Sequence, residues 1–139
     1  MRILLADDQK DVRMALCISI QRHHPDWHLM AAASLEDLLR AVEFGCPDLL
    51  IVNWGMRSWF DADPLPHIRW ENVLAAIRRH CSRLGILVLD SSPETEPLAL
   101  RAGANAFICK TDLPEALYNI LEAWKKPLLV SNGHSSSLP

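Results

Sequence analysis

Five short apolar runs alternate along the chain with stretches whose apolar residues recur at helical spacing, and this alternation narrows the possible folds more than any other feature. Arg2–Ala6 is an apolar run that ends in acid, and Lys10–Arg22 follows with Val12, Ala15, Leu16 and Ile20 at helical period, stopped by Pro25. Trp27–Ala32 is a second, weaker strand. Ser34 then opens a helix with Asp37 three residues on, a partial capping box, and Leu35, Leu38, Leu39 and Val42 share one face up to Gly45. Asp48–Asn53 is continuously apolar between its two end residues, the pattern of a central parallel strand covered on both faces. Ile68–His80, with Val73, Leu74 and Ile77 inward, is the third helix, and Gly85–Leu89 the fourth strand. Pro93–Ala102 is a short helix closed by Gly103, a residue suited to a left-handed helix cap. Ala104–Cys109 is the fifth strand. Thr111–Trp124 is the last helix, opened by Asp112, Leu113 and Pro114.

Five such units in 139 residues suit one α/β domain, a parallel sheet with helices on both faces. We assign it residues 1–126, followed by a Ser-rich tail over 127–139 that frays. Half of the residues are apolar, enough for a buried core. The net charge of −3 with mixed signs argues against nucleic acid as a direct partner, which needs a clustered basic face. The apolar runs fall far short of the about 20 residues that cross a bilayer. The N-terminus reaches acid at Asp7 too early for a signal peptide, so a cytoplasmic location is expected. The cysteines Cys17, Cys46, Cys81 and Cys109 are scattered and read as reduced thiols packed as small hydrophobes. His23, His24 and His28 read as a helix end and turn rather than a metal set.

Right-handed crossovers restrict such a sheet to a few doubly wound orders, with the site outside the carboxyl ends of the strands. That rim receives Asp7-Asp8 from strand 1, Asn53-Trp54-Gly55-Met56 from strand 3, Asp90-Ser91 from strand 4 and Lys110-Thr111 from strand 5. Adjacent acids at a strand end repel unless a cation lies between them, and an oxygen-only donor set suits Mg²⁺. Taken alone, the acid pair also suits a helix N-terminus. A hydrolase is disfavoured, because no nucleophilic Ser or Cys stands beside a base.

Three segments carry a family resemblance. Leu4-Leu5-Ala6-Asp7-Asp8-Gln9-Lys10-Asp11-Val12-Arg13, Cys46-Pro47-Asp48-Leu49-Leu50-Ile51-Val52 and Arg101-Ala102-Gly103-Ala104-Asn105-Ala106-Phe107-Ile108-Cys109-Lys110 together resemble a response-regulator receiver domain of two-component signalling over about residues 2–124. The resemblance implies a flavodoxin-like sheet of the chemotaxis-regulator type, order 2-1-3-4-5, with five helices. It implies a phosphorelay signalling module rather than an enzyme, with a sensor histidine kinase or another signalling protein as partner. Carried onto this chain, Asp8 is the main Mg²⁺ carboxylate with Asp7 helping through water, Gly55 lends a carbonyl, and weak Mg²⁺ binding follows. Lys110 pairs with phosphoryl oxygens and Phe107 is the switch aromatic. Receivers commonly pair through helix 4, strand 5 and helix 5, a face that here would include Leu98, Arg101, Phe107 and Tyr118.

The phosphoacceptor position falls on Asn53, which also counts among the metal-site residues. Acyl phosphate formation needs a carboxylate nucleophile, and a carboxamide is a poor one. Asn53 is either natural, giving a pseudo-receiver that works through protein contacts without phosphate, or an engineered block of a phosphorelay receiver. The strand-4 hydroxyl of the family falls on Asp90, or on Ser91 after a one-residue shift. Asp90 either pairs with Lys110 to hold one conformation without phosphate or caps the next helix. Arg57 replaces the usual proline, and the loop Trp54–His67 carries Trp59, Phe60, Asp61 and Asp63 with Trp70 just beyond. These residues suit a partner surface, a lid or packing on helix 3. Lys110-Thr111-Asp112 replaces lysine–proline, as in receivers that precede helix-turn-helix domains; fifteen residues remain after Trp124, so the chain reads as a stand-alone receiver or a truncated fragment.

Overall fold

Alternate side chains of each strand face opposite sides of a sheet, so a run that is apolar throughout must be covered twice. The computed structural model describes residues 1–56 and 69–130, with side chains described as far as Trp124. Its elements are β1 (Arg2–Ala6), α1 (Lys10–His23), β2 (His28–Ala32), α2 (Leu35–Phe44), β3 (Leu49–Asn53), α3 (Trp70–His80), β4 (Gly85–Asp90), α4 (Glu96–Ala102), β5 (Ala106–Cys109) and α5 (Glu115–Val130). The strands form one parallel sheet in the order β2-β1-β3-β4-β5, the doubly wound order expected.

The two faces of the sheet are two separate cores. Leu4, Leu50, Val52, Ile86 and Val88 pack with Leu38 and Val42 of α2, Leu74 and Ile77 of α3 and Ala99 of α4. Ile3, Leu5, Leu49, Ile51, Leu87 and Leu89 pack with Leu16 and Ile20 of α1 and Leu117 and Leu121 of α5. All five residues of β3 are buried, as a central strand requires. At about 25 cal/mol per Å² of apolar area, these cores dominate the favourable side of folding.

Local signals set the helix ends. The Ser34 hydroxyl accepts from the Asp37 N–H at 3.1 Å and starts α2. Gly103 ends α4 at φ +116°, and the Gly103 and Ala104 amides close back on Leu100 and Ala99. Before α4 the chain makes a 3-10 turn, Pro93–Thr95, where one continuous helix was expected. A second such turn, Lys110–Asp112, occupies the expected start of the last helix, which begins only at Glu115 because Pro114 must precede its hydrogen-bonded turns. No glycine interrupts the sequence from Glu115 to Val130, and α5 runs past Pro127, where the tail was expected to begin. Residues 131–139 lie outside the described residues.

Two further expectations are corrected. Cys46 and Cys81 are joined by a disulfide, with Cα atoms 5.6 Å apart, and only Cys17 and Cys109 are free. The 35 residues between them hid the proximity; because β3 and β4 are neighbours, the segments leading into the two strands lie side by side at the amino edge of the sheet. Burial pushes the Cys17 thiol above its ordinary value, with Arg13 acting the other way. Tyr118 does not join an α4–β5–α5 face. Its hydroxyl bonds the Ser19 hydroxyl and its ring stacks on His23 at 3.8 Å, because that side of α5 packs towards α1. Nearby, His24 stacks on Trp27 and meets Glu122 at 3.1 Å, so these histidines join helices as side-chain packing.

Arg78 ties α3 to two other segments. Its guanidinium donates to the carbonyls of Leu84 and Gly103, each at 2.8 Å, and to Asn105 Oδ1 at 2.9 Å. Asn105 Oδ1 also accepts from the Ile86 N–H at 2.8 Å. Burial among these neutral oxygens lowers the Arg78 pKa. Arg78→Lys keeps the charge and loses the fork, so urea unfolding should show a loss of about 1–2 kcal/mol. Reducing the Cys46–Cys81 bond reopens a long loop in the unfolded chain, and the same measurement with and without reductant should differ by about 3–4 kcal/mol.

Candidate functional site at the carboxyl rim

The reversal of strand order between β1 and β3 opens a crevice at the carboxyl edge. Asp7 stands there, directly after β1, with its amide hydrogen-bonded to the Ala32 carbonyl of β2 at 3.0 Å. It is only 1 % exposed. A buried carboxylate requires donors, and Asp7 has them from three directions. The Gln9 N–H reaches Oδ1 at 2.9 Å, the Asn53 amide reaches the same oxygen at 3.1 Å, and Lys110 Nζ stands 3.5 Å from Oδ2. Arg13, one turn into α1, donates to the Asp7 carbonyl at 2.7 Å. Asp8, beside it, is exposed.

Asn53 is the last residue of β3 and is 5 % exposed. Its side chain works in both directions: Nδ2 donates to Asp7 and Oδ1 accepts from the Gly55 N–H at 3.3 Å. The Trp54 amide bonds the Leu89 carbonyl of β4 and the Met56 amide bonds the Asn53 carbonyl, so the turn after β3 is held to the sheet. A methyl group placed on Gly55 would lie 3.9 Å from Asn53 Oδ1 and 4.0 Å from Asp90 Oδ1, which puts this glycine between the ends of β3 and β4.

Asp90 ends β4, and its Oδ2 accepts the Thr95 hydroxyl. Of the two roles open to Asp90, the pair with Lys110 does not form: Lys110 Nζ faces Asp7 and, at 3.3 Å, Gln9 Oε1. Asp7 is buried, whereas Asp90 is only half-buried. Asp90 does not cap the following turn either, since Ser92 occupies that position. Ser91 is exposed, and its carbonyl lies 3.4 Å from Cys109 Sγ. Phe107 is half-buried on β5 and packs on the core under α2, α3 and α4.

The rim thus brings together Asp7, Asn53, Gly55 and Lys110, with Asp90 near Gly55 and held by Thr95. Sequence reasoning missed Gln9, Arg13 and Thr95. An Asp followed two residues later by a backbone donor is a recognisable side-chain turn, so Gln9 had a signal. Thr95 had none, because a 3-10 turn is needed to fold it back onto Asp90. Of the roles open to Trp70, packing is the one the structure takes: it opens α3 as a core residue, 3 % exposed. Its indole N–H donates to the Trp54 carbonyl at 2.7 Å and the two rings stack at 5.9 Å, since α3 begins against the end of β3. Arg57, Trp59, Phe60, Asp61 and Asp63 lie outside the described residues.

No family model matches the chain. No curated protein matches it in sequence either. Solved structures do match in fold. The response regulator protein TrrA from Thermotoga maritima, in complex with Mg²⁺–BeF, is 23 % identical, with a TM-score of 0.70 over 88 % of this chain and 96 % of that one. The chemotaxis response regulator CheY4 of Vibrio cholerae is 21 % identical, with a TM-score of 0.69 over 88 % and 96 %. A two-component response regulator of the LuxR family from Aurantimonas is 25 % identical, with a TM-score of 0.71 over 88 % and 82 %. The chain has the flavodoxin-like fold of these receiver structures.

Lys110→Met leaves the buried Asp7 carboxylate with neutral donors alone. The expected loss of stability near neutral pH is about 1–3 kcal/mol, read by denaturant unfolding. Removing the acid as well, in Asp7→Asn/Lys110→Met, should cost less than the sum of the two single changes.

Proposed function

We propose that this chain is a receiver-type module of two-component signalling whose state is set by protein contacts and not by phosphate on residue 53. The observation that carries this reading is the Asn53 carboxamide. It is buried at the phosphoacceptor position and bonded to both Asp7 and Gly55. A carboxamide oxygen is a weak nucleophile and cannot become an acyl phosphate without losing its nitrogen. Its N–H also stabilises the Asp7 carboxylate that a phosphorylatable pocket would offer to a metal. Lys110 beside Asp7 supplies positive charge from within the chain.

A second reading rests on a different observation: oxygens from Asp7, Asn53 and Gly55 and the Lys110 ammonium still share one rim. Asp7 and Asp8, with the Gly55 carbonyl and the Asn53 side-chain oxygen after an amide flip, would hold Mg²⁺ weakly, since the donors are all oxygen and Asp8 is exposed. The Thermotoga protein was solved with Mg²⁺–BeF, and the same class of ligand is the one to try here. The metal would supply charge neutralisation for phosphoryl oxygens, with Lys110 beside it, Ser91 or Asp90 on the strand-4 side and Phe107 as switch. On this reading the chain is a phosphorelay receiver interrupted at one residue, natural or introduced.

The partner in either case is a sensor histidine kinase or another signalling protein, and the setting is cytoplasmic. Pairing of two copies through α4, β5 and α5 would use Leu98, Arg101 and Phe107; Leu98 is half-exposed and Arg101 exposed. The module itself catalyses no turnover.

Intact-mass measurement after incubation with Mg²⁺ and a small-molecule phosphodonor tests both readings. The native chain should keep its mass, and a phosphoryl adduct on it would overturn the first reading. If Asn53→Asp gains one phosphoryl group, the remaining pocket is competent and the second reading holds. An unmodified Asn53→Asp leaves the contact-driven module, with Asp90 as the residue that has altered the pocket.

A further inference from the structure

At the amino edge of the sheet, opposite the rim, Cys46, His80 and Cys81 offer one nitrogen and two sulfur atoms that all lie within 4.8 Å of one another. Cys81 is the C-cap of α3, fixed by its N–H to the Ile77 carbonyl at 2.7 Å. Cys46 lies on the segment between α2 and β3. That segment is pinned independently of the disulfide. Asp48 Oδ2 accepts from the Arg2 N–H at 2.7 Å, the Asp48 amide bonds the Arg2 carbonyl at 2.9 Å, and the Gly85 amide bonds the Asp48 carbonyl at 3.1 Å. The Arg2 guanidinium meets the Cys46 carbonyl at 3.4 Å. With the S–S bond opened, the two sulfurs therefore stay close. The segments that carry them are held by the sheet and by a helix end.

We infer that Cys46, His80 and Cys81 form a redox-gated site for a thiophilic divalent cation of the zinc class. Two thiolates and an imidazole are the donors such a cation prefers, and carboxylate-binding cations such as Mg²⁺ do not compete for them. The C-terminal carbonyls of α3 favour positive charge at this point, and the Cys46 sulfur lies 3.6 Å from the His80 carbonyl oxygen. Cys46 and His80 are exposed, so a cation has a route in and water can fill the fourth position. In the oxidised chain each sulfur is committed to the other and the site is closed. A dithiol reductant opens it. One thiolate of the reductant attacks a protein sulfur, the S–S bond breaks, and the second thiolate closes the reductant into its own disulfide. Two electrons pass to the protein, which ends as two thiols. The cation then displaces both thiol protons to solvent as the two metal–sulfur bonds form. Disulfide and metal thus bind the same two sulfurs in alternation, and each joins α3 to the lead-in of β3.

The test uses the full chain, oxidised or reduced with a phosphine, and titrated with Co²⁺ as the probe. The reduced chain should bind one Co²⁺ with thiolate-to-cobalt absorption, and Zn²⁺ should displace it. The oxidised chain should show no such absorption. Cys46→Ser, at an exposed position, should cut the absorption by about half or more and weaken binding at least about tenfold while circular dichroism stays native, and His80→Ala should weaken binding about tenfold or more. Absence of the absorption in the reduced chain overturns the proposal. So does an absorption of unchanged intensity in Cys46→Ser, because the thiolates that give it would then not include Cys46.

Discussion

A parallel sheet cannot leave a face to water when its central strands are apolar on both sides, and everything else in this chain is arranged around that constraint. β1, β3 and β4 each send alternate residues into two cores. Both cores must be capped by helices, and right-handed crossovers then bring every loop that follows a strand to one edge. The polar residues that the core cannot take are delivered to that edge together. The chemistry at the rim is thus a by-product of how the apolar residues are buried.

Within the rim, Asp7 decides the arrangement. A carboxylate at 1 % exposure must be matched in charge and hydrogen bonds, and it draws in groups from β3, β5 and the start of α1. Asn53 fits this demand better than an aspartate would in the absence of a cation, because a second carboxylate 3 Å or so away would repel Asp7. The uncharged residue at the end of β3 donates to Asp7 without adding a second negative charge. Asp90 follows the same logic on β4, where it turns to the Thr95 hydroxyl and leaves Lys110 to the deeper acid.

The sequence was informative wherever the determinant was local. The period of the apolar residues placed all five strands, Ser34 with Asp37 placed the start of α2, and Gly103 placed the end of α4. The carboxyl-edge rule for such sheets placed Asp7, Asn53, Asp90 and Lys110 at the ends of their strands. Reading failed where the determinant was long-range or where a short turn broke a helix. The Cys46–Cys81 bond depends on β3 and β4 being neighbours. The partner of Asp90 depends on a 3-10 turn that looks like helix in sequence. Trp70 was placed in the third helix with three roles open, and only the core around it, with Trp54 sixteen residues earlier, shows that it packs inward. Tyr118 sits on a helix with apolar residues on more than one side, and only its contacts with Ser19 and His23 reveal which side it takes.

The Trp54–Trp70 contact has an optical consequence. Two stacked indoles at 5.9 Å couple their excited states, and their joint signal depends on the angle between the rings, here 29°. One ring belongs to the residue after Asn53 and the other to the first residue of α3. Any movement of the β3 end relative to α3 changes that angle. The part of the near-ultraviolet dichroism lost in Trp70→Phe is therefore a gauge of the rim, built from native chromophores and readable without a label.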